Sequence, residues 1–260
     1  MRVDLADVAN VREVLANARP ECVVHLAWYT ERGKYWTAVE NIDCLTMTLE
    51  LARLAAERGC RRFVAAGSCA EYDWNFGFLS EATAPLNPRS LYGVAKNATR
   101  NVLEAYCSQV SMDFAWVRFF FLYGPYESPG RLVPSVITAL LRGEIAKCTQ
   151  GSELKDYLYV KDAANAAWAV AQSTAIGPVN VGSGRPVSIR EIADILGNIL
   201  RASERISFGE LPSDPDMPPV LVADIRKLQS CTGWGPLWTL EEGLRETVDW
   251  WKSRSLKEAQ

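Results

Sequence analysis

The stretch RFVAAG, residues 62–67, decides how this chain is built. It is a short, almost unbroken apolar run, as expected of a strand covered on both faces. Upstream, residues 38–58 carry Leu45, Leu49, Leu51, Leu54 and Ala55 in a wide apolar stripe at helical spacing. Gly59 stands where the C-cap of that helix is expected. CVVHLA (22–27) reads as a buried strand before the helix. After RFVAAG, residues 92–110 are helical and 114–119 form a third strand. Strands separated by helices of this length imply parallel βαβ units. The fold class predicted is therefore α/β, a doubly wound parallel sheet that binds ligands at the carboxyl ends of its strands.

The texture changes after YGP (123–125). Prolines and glycines interrupt residues 126–131; residues 132–142 look helical and LKDYLYV (154–160) reads as a strand. Asp162 is expected to cap a helix reaching about residue 173, and NVGSG (180–184) to form a tight loop. Ser188 with Glu191, and Thr239 with Glu242, have capping-box spacing at the starts of two further helices, the last carrying Trp250 and Trp251. PSDPDMPP (212–219) is a proline-rich loop. The pattern predicts two lobes: an α/β lobe over 1–125 and a smaller mixed lobe over 126–260.

Composition narrows the function. The chain has 260 residues, is 48% apolar and carries a net charge of −3. That length can bury a large core. The acidic balance and the lack of any basic run argue against nucleic acid. No window approaches the ~18 apolar residues that a membrane helix needs. The apolar segment AWVRFFFL (115–122) is short and holds an arginine, and the first residues are acidic where a signal peptide would be apolar. Seven scattered cysteines without CxxC spacing and a single histidine predict no metal site, reduced thiols and a cytoplasmic location.

In SLYGVAK (90–96), Tyr92 and Lys96 sit four residues apart and so share one helix face. A lysine ammonium near a phenol favours the phenolate and could make a general acid/base. Spacing alone fits two surface residues equally well. Ser68, in AGSCAEY (66–72), shifts the balance. It lies just past the carboxyl end of the RFVAAG strand, where its hydroxyl could hold the group on which Tyr92 acts; a turn serine satisfying local backbone groups is the other reading. His25, at the end of the CVVHLA strand, is read as a packed core histidine rather than a proton-transfer group.

These pieces, in their order, resemble the extended short-chain dehydrogenase/reductase family of nucleotide-sugar epimerases, dehydratases and reductases. The resemblance rests on VHLA from Val24, Asn41, RFV leading to Ser68, YGVAK from Tyr92, Arg118 with the YGP at Tyr123, KDYLYVKD from Lys155, NVGSG from Asn180 and GWGP from Gly233. It implies a Rossmann-type sheet and a catalytic set of Ser68, Tyr92 and Lys96. Tyr92 would exchange a proton with a sugar hydroxyl while hydride passes between that carbon and NAD or NADP, with Lys96 lowering the phenol's pKa and holding the nicotinamide ribose. Leu26 and Ala27 would line the cofactor and Asp4 would face its adenine end. Asn41 would lie in the helix behind the active site. A nucleotide-linked sugar would meet Ser68, Arg131 and Lys155, with Arg185 read as a solvated cation. Helices 38–58 and 92–110 would pair in a homodimer.

Departures from the pattern refine this. Cys69 and Ala70 stand where dehydratases of the family carry an Asp-Glu pair, and Glu71 falls one place later, on the expected wrong side of the strand end. That argues against loss of water; the string SCAEYDW (68–74) resembles 4-keto-sugar reductases. Phe121 stands where an asparagine commonly touches the substrate phosphates. Lys155 replaces an arginine, keeping the charge but losing the bidentate fork. No glycine-rich turn precedes the first strand, since Gly33 is the first glycine. VDLAD (3–7) resembles the end of the family's third strand, so an apolar sheet edge and a weakened cofactor site are expected. Backbone N–H bonds to a phosphate contribute ~1.5–3 kcal/mol each. The sequence thus predicts a 4-keto reductase. Its alternatives are a 4-epimerase and a non-catalytic remnant that binds the sugar nucleotide.

Overall fold

The computed structural model describes residues 2–213 and 217–258, with side chains described as far as Arg254. The chain opens on α1 (Val8–Ala18), where the Asp7 carboxylate accepts the Asn10 N–H. β1 (Cys22–His25), α2 (Glu40–Glu57) and β2 (Arg62–Ser68) follow. A 3-10 turn over 69–71 and the two-residue β3 (Phe78–Leu79) precede α3 (Leu91–Gln109), β4 (Asp113–Phe119) and β5 (Phe121–Tyr123). Then come α4 (Leu132–Leu141), β6 (Ala146–Cys148), β7 (Leu154–Tyr159), α5 (Val160–Gln172), β8 (Gly177–Val181) and β9 (Pro186–Ser188). α6 (Ile189–Leu200), β10 (Ile206–Phe208), β11 (Val220–Ala223), α7 (Arg226–Thr232) and α8 (Leu240–Glu258) complete it.

The main sheet has the order β1-β2-β4-β8, every pair parallel. β2 is covered on both faces, as its apolar run requires. Phe63 and Ala65 pack with Leu51, Leu54, Leu103 and Trp116 beneath α2 and α3. Val64 points the other way, into Val117, Val179, Ala166 and Val170 beside α5. A second sheet, β3-β11-β7-β5 with β9 antiparallel to β7, adjoins it. Val136, Ile137, Ile192, Leu196, Leu244 and Val248, from α4, α6 and α8, form a separate core beside that sheet. The polypeptide passes directly from β4 into β5 with only Phe120 between. It returns through α5 and β8, so a division at residue 125 does not separate the two sheets.

Two local expectations differ from the structure. Residues 3–7 form no strand: the Asp4 carboxylate accepts the Ala6 N–H at 3.0 Å and Asp7 caps α1, so two acidic side chains turn the backbone. Asp162 does not cap α5, which Tyr159 precedes. Fully buried, it accepts the N–H groups of Leu237 (2.8 Å) and Trp238 (3.2 Å), tying down the segment before α8. Part of the proline-rich loop, 214–216, lies outside the described residues. The expected caps at Ser188 and Thr239 do form, with Glu191 N–H and Glu242 N–H as their donors. Buried Asp156 fixes the loop after Asn180 by accepting from Ser183 and Gly184 N–H and from Ala223 N–H.

β2 ends in a buried polar network. Glu71, with no exposed surface, accepts the Ser68 N–H and the Trp116 indole N–H through one oxygen and the Arg118 Nε–H through the other, each at 2.8 Å. Arg118 also donates to the Tyr72 oxygen (3.0 Å), and Tyr72 donates to Asn180 Oδ1 (2.8 Å). Gly67 leaves room for this network: a Cβ there would strike Trp116 and Glu71. Removing one member strands a buried charge, which costs about 3–5 kcal/mol. Glu71→Ala is therefore expected to lower the free energy of unfolding by that amount in urea titrations; a loss under ~1 kcal/mol would refute a buried pair.

His25 is a buried packing residue on β1, stacked loosely on Phe63. Thr48 gives its only hydroxyl hydrogen to the Cys44 carbonyl (2.6 Å), so His25 Nε2–H donates to the Thr48 oxygen at 3.0 Å. Burial, with Lys96 nearby, pulls the imidazole pKa down to about 4. Below its ordinary value near ~6.5, the unfolded chain gains a proton that the folded chain refuses, so stability falls as pH drops and levels off below about 4. Unfolding titrations at about pH 7 and about pH 5 are expected to differ by ~2 kcal/mol through this group, a difference that His25→Gln removes.

Candidate active site

The carboxyl end of β2 and the first turn of α3 face each other across a tight contact. Ser68 ends β2 and its hydroxyl accepts the Ala70 N–H at 3.2 Å. Gly93, in the first turn of α3, packs so closely on the Ala70 carbonyl that a Cβ there would collide with it. Glu71, by holding the Ser68 N–H from below, fixes the backbone from which the hydroxyl projects. Ser90 caps α3 by accepting the Gly93 N–H at 3.2 Å. Tyr92 and Lys96 then lie one turn apart, facing Ser68.

Tyr92 is half-buried under aromatic rings. Tyr35, Trp36 and Trp28 meet it edge-on at centroid distances of 5.0, 5.7 and 6.4 Å, and its N–H donates to the Trp36 carbonyl. Burial drives the phenol's pKa up, and a hydrogen bond with the Ser68 side chain opposes part of that rise. The phenol is therefore held protonated. This differs from the expectation that Lys96 would make it more acidic. The Lys96 ammonium, 2% exposed, donates to the Ala66 carbonyl at 2.7 Å and lies 3.6 Å from the Trp28 ring centroid, but 5.9 Å from that of Tyr92. Burial lowers the lysine's own pKa to about 7, with Glu71 and Cys44 acting against the fall.

Of the residues expected to hold cofactor, two line a common cleft, and Asp4, Tyr92 and Lys96 are not among its walls. Leu26 and Ala27 line an apolar cleft of about 280 Å³ with Val3, Leu5, Leu15 and Val23, beside the free edge of β1. Asp4 is exposed between two of these lining residues. The cleft suits flat ring systems, and Lys96 retains two N–H groups beyond the one given to Ala66. No charged side chain lines the cleft, so its walls fit the ring-bearing parts of a dinucleotide and offer its diphosphate no cation.

The residues expected to hold substrate are partly together. Arg131, at the N-cap of α4, holds its guanidinium carbon 6.0 Å from the Tyr35 ring centroid, which joins it to the Tyr92 cluster. Lys155 is buried on β7, where it acts electrostatically on Cys69, but its ammonium reaches the Pro218 carbonyl at 2.6 Å. Arg185 lies exposed in the loop before β9. Cys69 is a buried thiol pushed up to about 12 by burial, inert as an acid or base near neutrality. Glu71, turned into the network below, cannot reach a substrate.

Sequence reasoning missed two features. One is the aromatic wall, whose signal was the run WYTERGKYW (28–36). The other is Glu127, which adjoins Arg131 and Tyr157; burial raises its pKa to about 7, and its Oε2 is buried without a hydrogen-bond partner. Among the described residues no cluster could hold a metal ion, and no helix is long and apolar enough to cross a membrane.

Comparison with known proteins agrees with this architecture. The chain is 30% identical to UDP-glucuronic acid decarboxylase 1 of Xenopus tropicalis over 88% of its length, covering 56% of that protein. It thus spans little more than half of that relative, and 58% of the corresponding Danio rerio enzyme. It is 26% identical to the UDP-glucuronate 4-epimerase of Thermodesulfobacterium geofontis, covering 96% of this chain and 78% of that one. Among solved structures, MoeE5 in complex with UDP-glucose and NAD superposes with a TM-score of 0.85 at 28% identity, over 98% of this chain and 86% of MoeE5. The model of the NAD dependent epimerase/dehydratase family matches residues 1–182, and the chain belongs to that family.

Proposed function

We propose that this chain carries out NAD-dependent redox chemistry on a nucleotide-linked sugar, and that reduction of a 4-keto sugar is its reaction. The observation that carries this reading is the meeting of Ser68, Tyr92 and Lys96 at the end of β2 and the start of α3, with the phenol held neutral. A proton donor to a ketone oxygen must start protonated, and Tyr92 does. Ser68 orients that oxygen by hydrogen bonding. Lys96, Leu26, Ala27 and Asp4 hold the dinucleotide, which supplies the hydride when bound. Arg131 and Lys155 are the cations proposed for the sugar nucleotide, and the aromatic wall over Tyr92 keeps water from the reacting carbon. UDP-sugars are the substrate class favoured by the names of the relatives. A 4-epimerase is the second reading, supported by the T. geofontis relative.

Two experiments test this. With reduced nicotinamide and a UDP-linked 4-keto sugar, the chain is expected to consume reductant, and Tyr92→Phe to slow turnover about a hundredfold to ten-thousandfold without changing the melting temperature. Turnover unaffected by Tyr92→Phe would sink the mechanism. Interconversion of UDP-sugars without net consumption of reductant would favour the epimerase. Calorimetric binding of UDP-sugar with no binding of NAD would favour the non-catalytic remnant.

The same reading includes a homodimer through α2 and α3. Val39 and Ile42 at the start of α2, and Val94 and Val102 on α3, are exposed apolar side chains on these two helices. Sedimentation at micromolar concentration is expected to give a dimer, and Ile42→Asp with Val102→Asp to give a monomer of unchanged helicity. A monomeric parent chain would remove this part.

A further inference from the structure

Lys96 is a buried amine with three donors, and its hydrogen bond goes to the Ala66 carbonyl. The Trp28 ring covers it at 3.6 Å, against 5.7 Å for Trp116 and 5.9 Å for Tyr92. Among the described residues, no carboxylate forms an ion pair with it. The Trp28 ring is itself pinned, because its indole N–H donates to Asn41 Oδ1 at 2.8 Å. Asn41, fully buried, gives both hydrogens of its amide nitrogen to the Tyr35 and Ala38 carbonyls at 2.7 and 2.8 Å. Those two bonds dictate which way the amide faces, leaving its oxygen for the indole. Asn41 thus orients Trp28, and Trp28 presents its π face to Lys96.

We propose that Trp28 is a positioning residue for the Tyr92–Lys96 pair: its π face holds the Lys96 ammonium charged and aligned along α3, with Asn41 locking the indole. An ammonium cut off from water is attracted to the face of tryptophan more than to other rings. The other groups facing Lys96 are Glu71 from the turn after β2, Cys44 from α2, His25 from β1 and Tyr92 from its own helix. The two that favour the charged amine, Glu71 and Cys44, are not in ion-pair contact with it, so beyond the Ala66 carbonyl its nearest compensation is the indole face. The inference rests on the reading of Tyr92 and Lys96 as the reacting pair.

The test uses the full chain without ligand. Tryptophan emission is followed from about pH 5 to about pH 9, and the Trp28 contribution is taken as wild type minus Trp28→Phe. That contribution is expected to titrate with a midpoint at about 7 and to stop titrating in Lys96→Met, which keeps the indole. Emission flat with pH, or the same step in Lys96→Met, overturns the proposal. Side-chain NMR of isotope-labelled lysines, assigned with Lys96→Met and followed across pH, supplies a second readout. At pH above about 8, Trp28→Leu is expected to leave about tenfold less Lys96 charged, and Trp28→Phe to restore most of it. Unaltered Lys96 titration in Trp28→Leu also overturns it. Neither readout involves sugar or nicotinamide, so failure here leaves the reductase reading standing, and failure of that reading leaves these titrations intact.

Discussion

The buried pairing of Glu71 with Arg118 is the constraint on which the site depends. It joins the turn after β2 to the neighbouring strand β4, and the same carboxylate holds the Ser68 N–H. A buried ion pair adds little net stability over apolar packing, but it fixes geometry, because neither partner can leave without stranding the other. Here the fixed object is the serine at the end of the strand. Gly67 and Gly93 serve the same end by omission, since a side chain at either place would push the turn away from Trp116 or from α3.

Above that foundation the site is aromatic rather than polar. Trp28, Tyr35 and Trp36 wall Tyr92, and Trp74 continues the wall against Trp36. The consequence is a neutral phenol and a lysine whose charge is finely balanced near neutrality. The low polarity that favours the neutral phenol also disfavours the charged amine, so the two pKa values are driven apart: the phenol upward and the amine downward.

Much of this was legible in the sequence. The strands at 22–25, 62–68 and 113–119 and the helices between them followed from apolar runs and periodicity, because burial on two faces leaves an unbroken apolar signature. Spacing and position at a strand end singled out Tyr92, Lys96 and Ser68, whose chemical role is the one proposed above. α1 escaped because only Val11 and Leu15 bury themselves along it. Asp162 was misread as a cap because a carboxylate in a first turn looks the same whether it serves its own helix or a distant loop. The Lys96–Trp28 contact was invisible for a related reason. Spacing identifies neighbours on one helix face, whereas the strongest partner of a buried cation is set by tertiary packing.

The passage from β4 into β5 has one more implication. A single residue, Phe120, separates a strand of the first sheet from a strand of the second, and its N–H bonds the Val181 carbonyl of β8. Extended backbone bonded there to β8 ties the two sheets together across one residue. The ring-laden stretch from 28 to 36, by contrast, carries its rings against Tyr92 on backbone that no strand pairing holds.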